Sequence, residues 1–469
     1  MKQLEYIYNE IFNEIVDLSS RREVLEKFIV KSGRYKDPSR VFVRDTRLSL
    51  SRLLTFMIMP RAGSNQSELE MFYDRLGIKP PSKSAFSISR KRISPNLFQF
   101  INNMIVDNYY RKMSVKKWKN KLIIGVDGTT LTMPRGARFE PLFGYATSTQ
   151  NKSTRVPTAR AIFLTDVLNK QILNIEIGDY GSHEPDMAYK AIKELPDYIK
   201  DNAIFIFDRL YISSWFLSVL QNMDIQYVIR CRHNFSKSID EFWENKQPDA
   251  DTSISISTST WQSKTEAHFA KAGITPDEYR PIYVHLTKSK LPSGETEVIC
   301  SRVFNTQISA AQAYRLYGLR WKVESAIGIE KNEWQIEIFS GYSKTAILQD
   351  IYCKMISYNL CSMAVMEANR KLKINSEKRC KKSNGTVKEN KIMKKHYQVN
   401  INMALFNFKY MIIQFIHQKE KPHEILLKFI REISRYYEPV IPHRTNSRRF
   451  KSYKTRGKYA TFTNYARAI

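Results

Sequence analysis

Near the N-terminus the apolar residues Tyr6, Ile7, Ile11, Phe12 and Ile15 recur at helical spacing, as one buried face of a helix requires. Ser64-Asn65-Gln66-Ser67-Glu68 reads as a helix start with an acidic first turn, and Gly77 followed by Pro80-Pro81 closes that helix. Residues 1 to about 115 are therefore expected to be helical. Within them Ser82 to Arg92 forms a short basic helix, and Ser94-Pro95 opens another. Two helices about a short turn, one of them basic, suit groove or phosphate binding. The solvated face of an ordinary bundle fits the same residues.

The pattern changes near residue 120. Leu122-Ile123-Ile124-Gly125-Val126 is a compact apolar run ending in Asp127-Gly128, and Ala203-Ile204-Phe205-Ile206-Phe207 is another, ending in Asp208. Ala161 to Leu164, Ile172 to Ile177 and Ile225 to Ile229 read as further strands, with helices over Met187 to Leu195 and Ser213 to Asn222. Strands followed by alternating helix and strand indicate a mixed α/β sheet with a buried centre. Residues 232 to 296 break this rhythm with a Ser/Thr-rich stretch, Asp251 to Thr258, and short strand-like pieces, and they are expected to be a β-rich insertion. A helix starting near Ser309 restores the alternation. After about residue 345 the chain is again helical, with a basic loop over Arg370 to Lys395. Its tail, Ile441 to Ile469, has no acidic residue and sets Arg444, Arg448, Arg449, Lys451, Lys454, Arg456 and Lys458 around Phe450, Tyr453 and Tyr459. The expected organisation is a helical N-terminal DNA-binding region (1–115), a catalytic core (116–345) and a helical C-terminal region with the basic tail (346–469), for dimerisation or DNA binding.

Charge narrows the function. Lys and Arg number 75 against 46 Asp and Glu, a formal +29 spread along the chain. A folded, aromatic-containing protein with that excess is expected to meet nucleic acid. Five scattered cysteines lack the spacing of a zinc site and suggest a reducing compartment. There is no signal-peptide core, and no apolar stretch is long enough to span a membrane, Met403 to Ile416 being interrupted by Asn407 and Lys409. The expected location is cytoplasmic, at the nucleoid of a prokaryote when bound to DNA.

Asp127 and Asp208 each follow a buried strand, where α/β folds place functional groups. Brought together, two carboxylates repel unless a cation lies between them. Hard oxygen donors without paired Cys or His suit Mg²⁺ or Mn²⁺. Taken singly, each Asp is better read as a cap for the following turn or helix. A third group sits in Ala313 to Ala326, where one helix would hold Tyr317, Arg320, Glu324 and Lys331 within an arc of roughly 60°, with Leu316, Leu319, Val323, Ala326 and Ile327 beside it. Glu324 could complete a metal site, while Arg320 and Lys331 could hold phosphate oxygens. Ordinary surface ion pairs fit that spacing as well. Gly328 is expected to bend the helix there and so to move Lys331, and Glu330 falls in the apolar arc without a physical reason.

Tyr317-x2-Arg320-x3-Glu324-x6-Lys331 resembles the Tyr-Arg-Glu-Lys signature of the insertion-sequence-four group of DDE transposases. Ile124-Gly125-Val126-Asp127-Gly128-Thr129 and Phe207-Asp208-Arg209-Leu210-Tyr211 resemble that family's first and second acidic motifs, the similarity covering roughly residues 82 to 365. The resemblance implies a ribonuclease-H-like core with a β-rich insertion between the second Asp and the Glu. It implies Asp127, Asp208 and Glu324 as catalytic residues and metal ligands for two divalent ions, and Tyr317, Arg320 and Lys331 as DNA-phosphate contacts. It further implies a homodimer on double-stranded DNA, joining transposon ends to target DNA, commonly through hairpins. No nucleotide cofactor is expected, since no phosphate-binding Gly-rich Lys motif is present. In the family an insertion-domain tryptophan holds a flipped base, but neither Trp243 nor Trp261 sits in an alignable motif. The alternatives are a nuclease of the same core that never joins DNA, a transposase-derived DNA-binding regulator, and a basic RNA-binding protein.

Overall fold

The computed structural model describes residues 2–18, 20–30, 37, 41–42, 46–61, 63–147, 155–254, 267–270, 273, 281–304, 308–382, 396–417 and 421–440. The tail from Ile441, residues 383–395 of the expected basic loop, Trp261 and part of the Ser/Thr-rich stretch lie outside the described residues, while the first half of that expected loop, from Arg370, is instead the end of the helix Lys344–Lys382. The chain divides into two compact units, one formed by Val115–Leu131 with Phe143–Gly328, the other by Met1–Ser114, Thr132–Leu142 and Ile329–Ile469.

The first of these units carries a nine-stranded sheet. Its strands are β1 (Leu122–Thr132), β2 (Tyr145–Thr147), β3 (Arg155–Asp166), β4 (Gln171–Asp179), β5 (Ala203–Phe207), β6 (Gln226–Arg230), β7 (Asp249–Ile254), β8 (Ile282–Lys290) and β9 (Thr296–Arg302). They lie in the order β2-β3-β1-β5-β6-β9-β8-β7, with β4 paired to β3. β1, β5 and β6 are mutually parallel. The β3–β4, β6–β9, β8–β9 and β7–β8 pairs are antiparallel. The parallel centre is where the apolar runs were read: Leu122 to Val126 and Ala203 to Phe207 are buried throughout, as strands covered on both faces must be. The segment between β6 and β9 does not form a sheet of its own among the described residues. It contributes the helix Lys237–Glu244 and then β7 and β8, which extend the main sheet beyond β9. Strand β1 runs on to Thr132, past the acid at which the apolar run ends.

The other unit is largely helical. Its helices include Lys2–Asp17, Leu50–Ile58, Asn65–Leu76, Lys83–Arg90, Asn96–Lys112, Lys344–Lys382, Ile401–His417 and Pro422–Ile433, with a two-stranded antiparallel pair, β10 (His396–Val399) and β11 (Tyr437–Val440). The start and stop signals act as chemistry dictates. Ser64 Oγ accepts the Ser67 N–H, and Gly77 ends the same helix at φ 68°, a left-handed cap. Tyr8, Phe12 and Phe415 cluster at ring separations of 4.7–6.2 Å.

The short basic helix is not simply a solvated face. Arg90 is buried and donates to Gln349, Ser340, the Ala346 carbonyl and Asp350. Arg61 also reaches Asp350, at 3.2 Å. These cations and the Ser340 N–H outweigh the burial of the Asp350 carboxyl and hold its pKa at about 2. Among the described residues no helix is long and apolar enough to cross a membrane.

Candidate active site

The register of the central strands builds the site. The β1–β5 ladder ends at Val126↔Phe207, and the β5–β6 ladder at Phe207↔Ile229. The next residues are therefore Asp127, Asp208 and Arg230, which follow the last paired row on three neighbouring parallel strands. Side-chain alternation puts Asp127 on the same face of the sheet as Gly125.

Gly125 is where the third acid is brought in. A Cβ at this position would lie 2.0 Å from Val323 Cγ2. The helix Trp321–Asn332 is thus seated directly on the bare Gly125 backbone, in van der Waals range that no other residue permits. Glu324 follows Val323 on the helix that covers this face. Asp127, Asp208, Glu324, Tyr317 and Arg320 all belong to the sheet-bearing unit.

The predicted single helix is two. Ala310–Gly318 and Trp321–Asn332 are separated by a tight turn. There the Leu319, Arg320, Lys322 and Val323 N–H groups each bond three residues back instead of four. The turn alters which residues meet. Tyr317 Oη donates to Asp208 Oδ1 at 3.2 Å, and Arg320 Nη1 donates to Glu324 Oε1 at 2.8 Å. Lys331 lies in the last turn of the second helix, in the other compact unit, and is not among these contacts.

Asp208 also accepts the Arg209 N–H at 2.7 Å, capping the 3₁₀ turn Arg209–Tyr211. The capping reading of this residue holds, and the same carboxylate also accepts from Tyr317. Asp127 Oδ1 accepts the Gly128 N–H at 3.0 Å. Burial pushes the Asp127 carboxyl up to about 6. The Glu324 and Asp208 charges add to the rise, while Arg320 and the Gly128 N–H pull against it. All three acids thus share one electrostatic neighbourhood, with Arg320 as its cation. Although its own burial opposes charge, the Arg320 guanidinium is held firmly protonated by Tyr317, Glu324 and Asp208.

Three residues escaped the sequence reading. Glu184, in the first turn of the helix Glu184–Lys193, pairs with Arg160. Its carboxylate lies so close to Gly128 that a Cβ there would meet Oε2 at 2.4 Å. Tyr211 is buried with its hydroxyl unpartnered among the described residues, and its pKa is driven well up by burial and then by the Glu184, Asp127 and Asp208 charges. Arg230 is shared by Glu295 and Glu297 at 3.1 and 3.4 Å. The signal for Arg230 lay in the sequence: both Phe207-Asp208 and Ile229-Arg230 follow an apolar strand. Nothing local marks Glu184. Trp243 lies tilted against His233, with ring centroids 3.8 Å apart.

The Glu330 anomaly also has a place. Its carboxyl is fully buried in the helical unit with both oxygens unpartnered among the described residues, and burial lifts its pKa to about 8. At neutral pH it is therefore mostly an uncharged acid, which an apolar arc tolerates.

A mixed parallel-centred sheet with acids following adjacent strands and a third acid on a covering helix defines an acid-centred α/β protein. The chain belongs to the transposase DDE domain family, whose profile matches residues 118–360, just over half of its length, and it is a DDE transposase enzyme of DNA transposition and recombination. No curated protein matches it. Among solved structures it is similar to the piggyBac transposase synaptic complex with hairpin DNA, determined by cryo-EM. The two chains are 12% identical at a TM-score of 0.38, over 97% of this chain and 88% of that one.

Proposed function

We propose that this transposase binds the terminal inverted repeats of an insertion sequence, cleaves DNA there and joins the freed end to target DNA. In this reading it belongs to the insertion-sequence-four group and has a ribonuclease-H-like core. It acts as a homodimer in a prokaryotic cytoplasm. The N-terminal helices (1–115) bind the DNA, and the C-terminal region with its basic tail (346–469) serves dimerisation or DNA binding. The observation that carries the proposal is the register that sets Asp127 beside Asp208, with the helix of Glu324 seated on Gly125 over the same face.

Asp127, Asp208 and Glu324 would hold two divalent ions, Mg²⁺ or Mn²⁺. The donor set fits: three carboxylates in one electrostatic neighbourhood, and a half-buried Asp127 whose ionisation is suppressed by burial and by its acidic neighbours. The unpartnered Tyr211 hydroxyl and Arg320 Nε leave donors for a ligand at the same place. When bound, such ions polarise the scissile phosphate and lower the pKa of the attacking water or 3′-hydroxyl.

The chain's own residues do the rest. Tyr317 holds Asp208 in orientation through its hydroxyl. Arg320 neutralises Glu324 until DNA arrives, then offers its remaining N–H groups to phosphate oxygens, for which a guanidinium is geometrically suited. Arg230 presents a second cation in the row of the two aspartates. Lys331 would supply a further point charge for phosphate.

The test uses labelled DNA carrying the inverted repeats that flank the gene. With Mg²⁺, the full chain should cut at the repeat boundary and join a pre-cut 3′-hydroxyl end to target DNA. Cleavage without joint molecules would make it a nuclease; retained cleavage after Asp127→Ala, Asp208→Ala or Glu324→Ala would remove that residue from the site.

A further inference from the structure

A second set of ligand-type side chains lies in the sheet-bearing unit, apart from the three acids. His183 and Asp186 stand at the start of the helix Glu184–Lys193, and His268 comes from the short helical segment 267–270. One donor atom from each of the three lies within 4.8 Å of the others. His268 Nδ1 is 2.8 Å from Asp186 Oδ1, and His183 Nδ1 is 3.5 Å from the same oxygen. The two imidazole rings face each other at 4.8 Å between centroids. Trp215, itself buried, stacks on His268 at 4.9 Å and 11°, fixing the plane of that ring.

From this geometry we infer a binding site for a divalent transition-metal ion of the Zn²⁺ class, held by His183, Asp186 and His268. A simple His–carboxylate ion pair accounts for less of it. His268 Nδ1 is buried and close to Asp186 yet makes no directed hydrogen bond. An imidazole nitrogen close to a carboxylate but misaligned with it suits two ligands aimed at a common third atom. The second imidazole converges on the same oxygen, where two protonated rings would repel each other. Two imidazoles and one carboxylate are a borderline donor set, which selects Zn²⁺ over the Mg²⁺ favoured by the all-oxygen acids. Three protein ligands leave a position for solvent.

The site has a consequence for the catalytic strand. His183 directly precedes Glu184, whose carboxylate fills the space beside Gly128, next to Asp127. An ion at His183 would fix the turn that places Glu184, and would tie the 267–270 segment to the same helix.

The test is metal binding by the full chain, stripped of metal and titrated with Zn²⁺ by calorimetry in excess Mg²⁺. One equivalent should bind. Its affinity should fall at least about tenfold in His183→Ala and in His268→Ala, the scale on which lost support of a metal site is felt. The affinity should be unchanged in Asp127→Ala, which would assign the ion to this cluster and not to the acids. Co²⁺ bound to the native chain should show visible bands that Zn²⁺ displaces, a reading that needs no variant. Absence of Zn²⁺ binding under these conditions, or binding indifferent to both histidine changes, overturns the proposal.

Discussion

Asp350, in the helix Lys344–Lys382, and Asp127, on β1, are carboxylates drawn away from water in the two units of the chain. Around Asp350 stand Arg90, Arg61 and the Ser340 N–H and hydroxyl, and the acid is held at about 2. Around Asp127 stand two further acids and one arginine that is already engaged with Glu324, and burial lifts the acid to about 6. The first site is complete in itself and is a structural joint. The second carries more negative than positive charge, the balance that the proposed metal-binding role calls for. Burial alone does not separate the two; the balance of partners does.

The largest effect should follow from neutralising Asp127. Asp127→Asn should abolish DNA cleavage while leaving the protein folded. Its sign in stability is worked out from the raised pKa. An acid whose folded pKa exceeds its unfolded one favours folding below the unfolded value, and that contribution is lost as pH rises through the folded value. Without divalent ions, Asp127→Asn should therefore match the native protein near pH 4 and melt above it beyond pH 6, where ionised Asp127 becomes a burden. Melting curves at the two pH values check this. A variant destabilised at high pH would make Asp127 another Asp350.

The converse change is structural. Asp350→Ala leaves Arg90 and Arg61 facing a vacated, buried position, and breaking such a pair costs about 3–5 kcal/mol. Denaturant unfolding should read this loss. A neutral outcome would mean that water or Gln349 satisfies the arginines, and the contrast between the two acids would collapse.

Next in size is Gly125→Ala. The new Cβ would collide with Val323 Cγ2, with an overpacking cost of about 1–3 kcal/mol. Displacing that helix should also shift Glu324 and lower cleavage. Val323→Ala removes the offending methyl and should restore both in the double variant, since the nearest remaining atom, Val167 Cγ1, lies at 3.2 Å. Failure of the rescue would mean that Gly125 is required for some other reason than this contact.

The order of acids and strands was legible because burial on both faces writes itself as an unbroken apolar run, and each run named the residue that follows it. The seating of the helix was not legible. Gly125 looks like any glycine within a strand until Val323, nearly two hundred residues away, is placed on it. The helix from Tyr317 to Lys331 was read as continuous because its periodicity tolerates a 3₁₀ turn, and only the turn explains why Tyr317 meets Asp208 while Arg320 meets Glu324. Glu184 was invisible for a similar reason: its proximity to Gly128 arises from sheet and helix packing, which no local pattern records. Arg90 carried the opposite lesson. Its basic neighbours suggested a solvated or DNA-binding face, yet Asp350 draws it into the core.

The smallest predicted effect sharpens the comparison most finely, because it alters one hydrogen bond and no charge. Tyr317→Phe removes the hydroxyl that donates to Asp208 at 3.2 Å while keeping the ring. Asp208 retains the Arg209 N–H, so its orientation is loosened without being lost. A single such bond is worth about 1 kcal/mol, or roughly fivefold in rate if it acts only through Asp208. Burial, reinforced by Asp208, holds the phenol up to about 12, so it remains a neutral donor throughout the working range. The fall in cleavage should therefore be the same at pH 7 and pH 9. A loss that grew with pH would instead mean that the phenol ionises at the site, and that Tyr317 moves a proton where this structure has it only holding an acid in place.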